Sequence, residues 1–433
     1  MPQFYTHHVR METLFSSVGA NRKDYIMMKD QIHDINLHYK SLLKKIGHHN
    51  ARKLRYKKIL TSASKTSSRE IFEKICDFKN GISPNDLTDL IKKMTNASTW
   101  IGHTYLRYLI SHVNFTSYGN SISNSDKVED ILEHVRRGIP LNGRYSHDDI
   151  FKAIYDECEL RHYFPDHKPA LRIPKTNVTV VLISGVLNEI FSTAAFERGA
   201  DHLCQISHAK YITTNVKGTK SSEHNSELIA KQLTKYIDEN PEEKLWLIGF
   251  SKGGVDALHF MRNHRIFCER NVIGLSTVAS PILGSDHVNN KFIGVLNQLH
   301  KLSDNPIYKY IEETRGTLGP EFQKSLSSSH QRVWFRHNHQ ELPKSPFYTS
   351  VAFESSWYES HLWMILTKLI FRSRKSNDGV VDVENATFPS YFNGINLGIL
   401  RGHHLVGTRS SHFCQEALME SHLIFLKYLG LID

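Results

Sequence analysis

The sequence predicts an α/β fold built on a mainly parallel sheet, preceded by a helical N-terminal region. Three observations lead there. Between residues 178 and 280, short apolar runs alternate with amphipathic stretches of helical length, the pattern of strands joined by crossover helices. Residues 1–165 show helical periodicity and no strand-like run. Between them, "YFPDHKPALRIPK" (163–175) carries three prolines and reads as a boundary. At 433 residues the chain exceeds one ordinary domain. The expected division is therefore a helical domain at 1–165 and a sheet-containing domain at 166–433.

Each element follows from its local pattern. "YIMMKDQIHDINLHYKSLLKKIG" (25–47) and "SREIFEKICDFKNG" (68–81) space apolar residues at i, i+3, i+4 and stop at glycine. "SPNDLTDLIKKM" and "SDKVEDILEHVRRGIP" (125–140) open on Ser or Asp and finish in basic residues, as helices do. "VTVVLISG" (178–185) is a buried strand closed by glycine, and "SEHNSELIAKQLTKYIDEN" (222–240) an amphipathic helix with a serine N-cap. "KLWLIGF", "GGVDALHFMRNH" and "NVIGLSTVAS" then predict strand, helix, strand.

Composition narrows the classes. The charged and apolar fractions, 23% and 40%, are those of a globular protein. The N-terminus lacks the pattern of a signal peptide, and no apolar run reaches the roughly 18 residues of a spanning helix. Five scattered cysteines without a C-x-x-C fit free thiols, so a cytoplasmic location is expected. The net charge is +10, and residues 40–58 hold Lys40, Lys44, Lys45, Arg52, Lys53, Arg55, Lys57 and Lys58 with no acid. Such a run is either the solvated face of a helix or a peripheral contact with an anionic membrane. No zinc spacing, RNA-binding aromatic motif or DNA-reading helix accompanies it, so nucleic acid is not an expected partner.

The chemistry concentrates at Gly249-Phe250-Ser251-Lys252-Gly253, a G-x-S-x-G between the strand 245–248 and a helical pattern carrying Val255, Ala257, Leu258 and Met261. Strand, tight turn and helix push a serine hydroxyl clear of a sheet, the setting of a nucleophile elbow. Such a serine needs a base, a carboxylate to orient the base, and oxyanion donors. Downstream, "SNDGVVDVENA" (376–386) offers Asp378 and "LRGHHLVG" (400–407) offers His403 and His404.

These motifs resemble, over the last 260 or so residues, the bacterial triacylglycerol lipases of the α/β-hydrolase superfamily. Their G-H-S-x-G-G corresponds to Gly249–Gly254, with Phe250 at the histidine position. "ASPILGSDHV" (279–288) and "FYTSVAFESSW" (347–357) are similar to later family segments. An N-D-G-[LV]-V run falls on Asn377–Val381 and marks Asp378 rather than Asp382. An N-H-L-D segment falls on His403–Val406 and marks His404. The resemblance implies an α/β-hydrolase core, a Ser251–His404–Asp378 triad, and an oxyanion hole of backbone N–H groups from Lys252 and Val186. The family histidine before the second donor is Ser184 here, followed by Gly185. It also implies a cap inserted at about 286–345, where "NKFIGVLNQLHKL" (290–302) and "VWFRHNH" (333–339) are either a lid over an acyl pocket or a packing insertion.

The expected function is a lipase- or esterase-like serine carboxylester hydrolase whose partner is an acyl ester or lipid. The alternatives are a phospholipase or acyltransferase at an anionic membrane, and an inactive hydrolase-fold binding protein. No cofactor is expected. No metal is expected either, because Val406 stands where the family lipases place a calcium-binding aspartate, and "GTRSSH" (407–412) supplies no acid instead.

Overall fold

A computed structural model describes residues 125–141, 143–163, 169–185, 194–218, 220–286, 324–355, 375–408, 411 and 413–432. The helices read in 25–94 and the basic run at 40–58 lie outside these residues.

Among the described residues, six strands form one sheet: β1 (Thr179–Ile183), β2 (Lys210–Thr213), β3 (Leu245–Phe250), β4 (Val272–Val278), β5 (Phe347–Glu354) and β6 (Ile395–Arg401). All pairings are parallel, in the order β2-β1-β3-β4-β5-β6. The helices are α1 (Ser125–Arg137), α2 (His147–Tyr163), α3 (Glu197–Ser207), α4 (Ser222–Glu239), α5 (Lys252–Asn263), α6 (Arg265–Asn271), α7 (Ser328–Asn338) and α8 (Gln415–Tyr428). This is an α/β-hydrolase core. β1, β3 and β5 bury nearly every side chain, as a parallel sheet covered on both faces must. β2 and β6, the edge strands, are partly exposed and lack a continuous apolar run, which is why sequence reading passes over them.

Strand alternation sorts the core into two layers. Val180, Leu182, Trp246 and Ile248 face one side with Phe151, Leu203 and Phe425 of α2, α3 and α8. Val181, Ile183, Leu245 and Leu247 face the other with Ile229, Leu258 and Phe335 of α4, α5 and α7. Each such side chain contributes about 1.5–3 kcal/mol by leaving water. Polar groups between the strands pair with one another: Trp246 Nε1 donates to Ser276 Oγ at 3.0 Å, and Thr349 Oγ1 donates to the same oxygen at 2.7 Å.

Two expectations change in detail. Helices α1 and α2, assigned to the N-terminal helical region, share the core of the sheet through Ile131, Phe151 and Ile154. In the expected cap, residues 287–323 lie outside the described set, but α7 holds "VWFR" and is a core crossover helix between β4 and β5. Phe335 is fully buried and Trp334 stacks on His259 with ring centroids 3.9 Å apart. An aromatic pair facing a sheet reads the same in sequence as one lining a lid.

Glu243, just before β3, pins the edge of the sheet. It accepts hydrogen bonds from Lys210 of β2, Thr179 of β1 and Tyr236 of α4. Burial pushes its carboxyl up, but these three donors outweigh burial and hold the pKa at about 2, below its usual 4.5. A depressed folded-state pKa stabilises the fold at pH above 4.5, and the gain is lost as pH falls from 4.5 toward 2. Glu243→Gln is expected to lower stability at pH 7 by roughly 2 kcal/mol and to flatten the acid limb between pH 4.5 and 2. Urea unfolding of both proteins across that range checks it; parallel curves at unchanged spacing would contradict it.

Candidate active site

The chain runs from β1 to β2 at one side, then returns past β1 to place β3 on its other side. Beyond the carboxyl ends of β1 and β3 a crevice must open, because the connections leave in opposite directions. Ser251 follows the last residue of β3 there.

Ser251 has φ 53° and ψ −131°, a left-handed backbone that costs a non-glycine residue about 1–3 kcal/mol. The glycines of the motif do not supply the sharp dihedral: neither Gly249 nor Gly253 has a positive φ. Gly253 serves close approach instead: a Cβ there would sit 2.2 Å from the Ile183 carbonyl oxygen. The strain falls on the serine, held by its N–H to the Val278 carbonyl at 3.0 Å.

A continuous hydrogen-bonded chain starts at this serine. Ser251 Oγ lies 2.8 Å from His404 Nε2, and His404 Nδ1 lies 2.7 Å from Asp378 Oδ2. Asp378 and His404 are 1% and 2% exposed, whereas Ser251 is half-buried and thus the member that solvent and ligand reach. The other carboxylate oxygen of Asp378 accepts the N–H groups of Val380 and Val381 at 2.9 and 2.8 Å, and the His404 N–H donates to the Asp378 carbonyl at 2.8 Å. With Asp378 deprotonated, Nδ1 carries the proton and Nε2 is left to accept from the serine. His403 is turned away, its Nδ1 accepting the Leu405 N–H at 3.1 Å.

Of the expected oxyanion donors, Lys252 is the first residue of α5, so its N–H has no intrahelical acceptor and sits at the positive end of the helix dipole. Val186 lies outside the described residues. Gly185 precedes it, and a Cβ at Gly185 would approach Ser251 Cβ to 2.7 Å, so β1 leads the chain directly against the serine. Phe250, at the family's histidine position, lays its ring against His404 with centroids 5.6 Å apart and against Phe196 at 5.5 Å.

Sequence reading missed two supports of the site. Gln415 Nε2 donates to the carbonyls of Val406 and Thr408, both at 2.8 Å, and so ties the histidine loop to α8, whose first residue it is. Lys252 and Asp256 form a fully buried ion pair with Nζ–Oδ1 2.7 Å, and Asn225 Nδ2 donates to the same carboxylate at 2.7 Å. A lysine in an elbow turn gives no sequence signal of burial. Val406 is 1% exposed and offers no side-chain oxygen, so these residues do not fit the calcium site of the family lipases. Added calcium is expected to leave melting temperature and ester turnover unchanged; a rise of several degrees would contradict this.

Among the described residues, no helix is long and apolar enough to cross a membrane. No protein-family model matches the sequence, and no curated protein matches it. Solved structures do resemble it. A metagenomic carboxyl esterase is 20% identical over 60% of this chain and 79% of that one, with a TM-score of 0.48. The thioesterase RedJ from the prodiginine biosynthetic pathway of Streptomyces coelicolor is 16% identical over 60% and 96%, TM-score 0.29. MenH from S. aureus is 15% identical over 58% and 94%, TM-score 0.32. At these values the fold rests on the sheet order and the placement of Ser251.

Proposed function

We propose that this chain is a serine hydrolase of carboxylesters bearing an acyl chain, lipase- or esterase-like. The observation that carries the reading is the unbroken Ser251–His404–Asp378 hydrogen-bond chain at the mouth of the sheet. Ser251 Oγ attacks the acyl carbonyl while His404 Nε2 takes its proton. The carbon–oxygen bond to the alcohol then breaks, and the departing oxygen receives that proton. Water, activated by His404 in turn, releases the acid and restores the serine. Asp378 fixes the imidazole's tautomer and stabilises its cation. The N–H groups of Lys252 and Val186 stabilise the oxyanion, each by about 3 kcal/mol.

A fluorophosphonate probe tests the nucleophile. Labelling of the native protein but not of Ser251→Ala supports the reading, and no labelling favours an inactive binding protein. Turnover of p-nitrophenyl esters of graded length, alongside phospholipid vesicles, separates a carboxylesterase from a phospholipase or acyltransferase working at an anionic membrane through residues 40–58.

A further inference from the structure

Three helices meet at a second cluster that the hydrolytic reading does not use. His162 closes α2, His202 lies within α3 and Glu420 within α8. Their ligand atoms all lie within 4.8 Å of one another. Glu420 Oε1 is 2.6 Å from His202 Nε2 and 3.2 Å from His162 Nε2. The Glu420 side chain has no exposure, while each histidine side chain is 21% exposed. Arg161 Nη2 donates to Oε1 at 3.0 Å.

The cluster is incompletely satisfied by its own members. Glu420 Oε2 is buried without a hydrogen-bond partner, and His162 Nε2, though 3.2 Å from Oε1, is buried without a well-aligned hydrogen bond. A buried polar atom left without a partner is costly. One cation bound between the two imidazoles and the carboxylate would serve both. Zinc bonds imidazole nitrogen and carboxylate oxygen at about 2.0–2.2 Å, which puts neighbouring ligand atoms a little over 3 Å apart; here the two nitrogen–carboxylate contacts are 2.6 and 3.2 Å, and all ligand atoms lie within 4.8 Å. Two nitrogens and a single carboxylate suit zinc rather than calcium or magnesium, which require many oxygens. Arg161 would keep the carboxylate oriented from outside, as supporting hydrogen bonds do at metal centres.

We infer that His162, His202 and Glu420 form a zinc site, open to a water molecule at the fourth position, that clamps α2 and α3 to α8. None of the three takes part in the Ser251 chain, so the site is independent of the proposed ester chemistry.

The full chain, produced without a histidine tag in zinc-supplemented medium, is dialysed and its metal content measured. About one equivalent of zinc is expected, falling at least tenfold in His202→Ala and in Glu420→Gln. After chelation, added zinc should raise the melting temperature of the wild type by several degrees and leave both variants unmoved. If Glu420→Gln does not fold, His202→Ala, at a partly exposed position, keeps the comparison available. Zinc content equal in wild type and His202→Ala, or no zinc with no thermal shift in the wild type, overturns the site.

Discussion

Ser251→Ala, Asp378→Asn and His404→Ala are each expected to lower ester turnover by about 10⁴-fold or more, and double variants to lose little beyond that. Non-additivity follows from the geometry. Ser251 Oγ can give up its proton only to His404 Nε2, and that nitrogen is free to accept only while Asp378 holds the proton on Nδ1. Removing any member stops the same step. Asp378→Asn is the most informative, because an amide nitrogen facing Nδ1 favours the opposite tautomer without leaving a hole. Initial rates on a short p-nitrophenyl ester measure all three. A His404→Ala protein with wild-type turnover beside an inactive His403→Ala protein would move the base to the neighbouring histidine.

The largest effect on stability is expected one turn along α5. Asp256→Ala leaves the Lys252 ammonium buried and without its partner, a change that costs about 3–5 kcal/mol. A domain is stable by only about 5–15 kcal/mol in total, so this one substitution consumes a large share. The charge rather than the packing should carry the loss. Lys252→Met combined with Asp256→Asn removes both charges, keeps an acceptor for Asn225, and should recover at least half of the stability. Urea midpoints of the wild type, the single and the double variant decide. A double variant no better than Asp256→Ala would mean that shape, not desolvation, rules the position.

The contrast between Ser251 and Lys252 shows what sequence could carry. Ser251, Asp378 and His404 sit in short motifs whose residue types are dictated by local turns, and the structure brings all three together. β1, β3 and β4 were legible because a doubly covered parallel strand must be apolar throughout. β2 and β6 were not, since an edge strand has no such requirement. The Lys252–Asp256 pair and the Gln415 tether are local in sequence, but their burial is a tertiary fact, and the His162–His202–Glu420 cluster depends on partners far apart in the chain. Glu420 and His202 are separated by 218 positions, and no local spacing announces such a pair. The helix at 125–137 is legible in the sequence and that at 147–163 only as part of a helical region, while their attachment to the sheet is a long-range fact.

The long separations also set an order in time. Ser251 and His404 are 153 residues apart, and among the ties on the loop holding His404 is Gln415 at the start of α8, later still in the chain. A ribosome adding about 5–20 residues per second leaves roughly 8–30 s between the two. Throughout that interval the strained elbow can form while its base does not yet exist. A nascent chain therefore carries an exposed serine of ordinary reactivity. Under the proposed function, the capacity to attack an ester switches on late, when α8 locks the histidine loop in place.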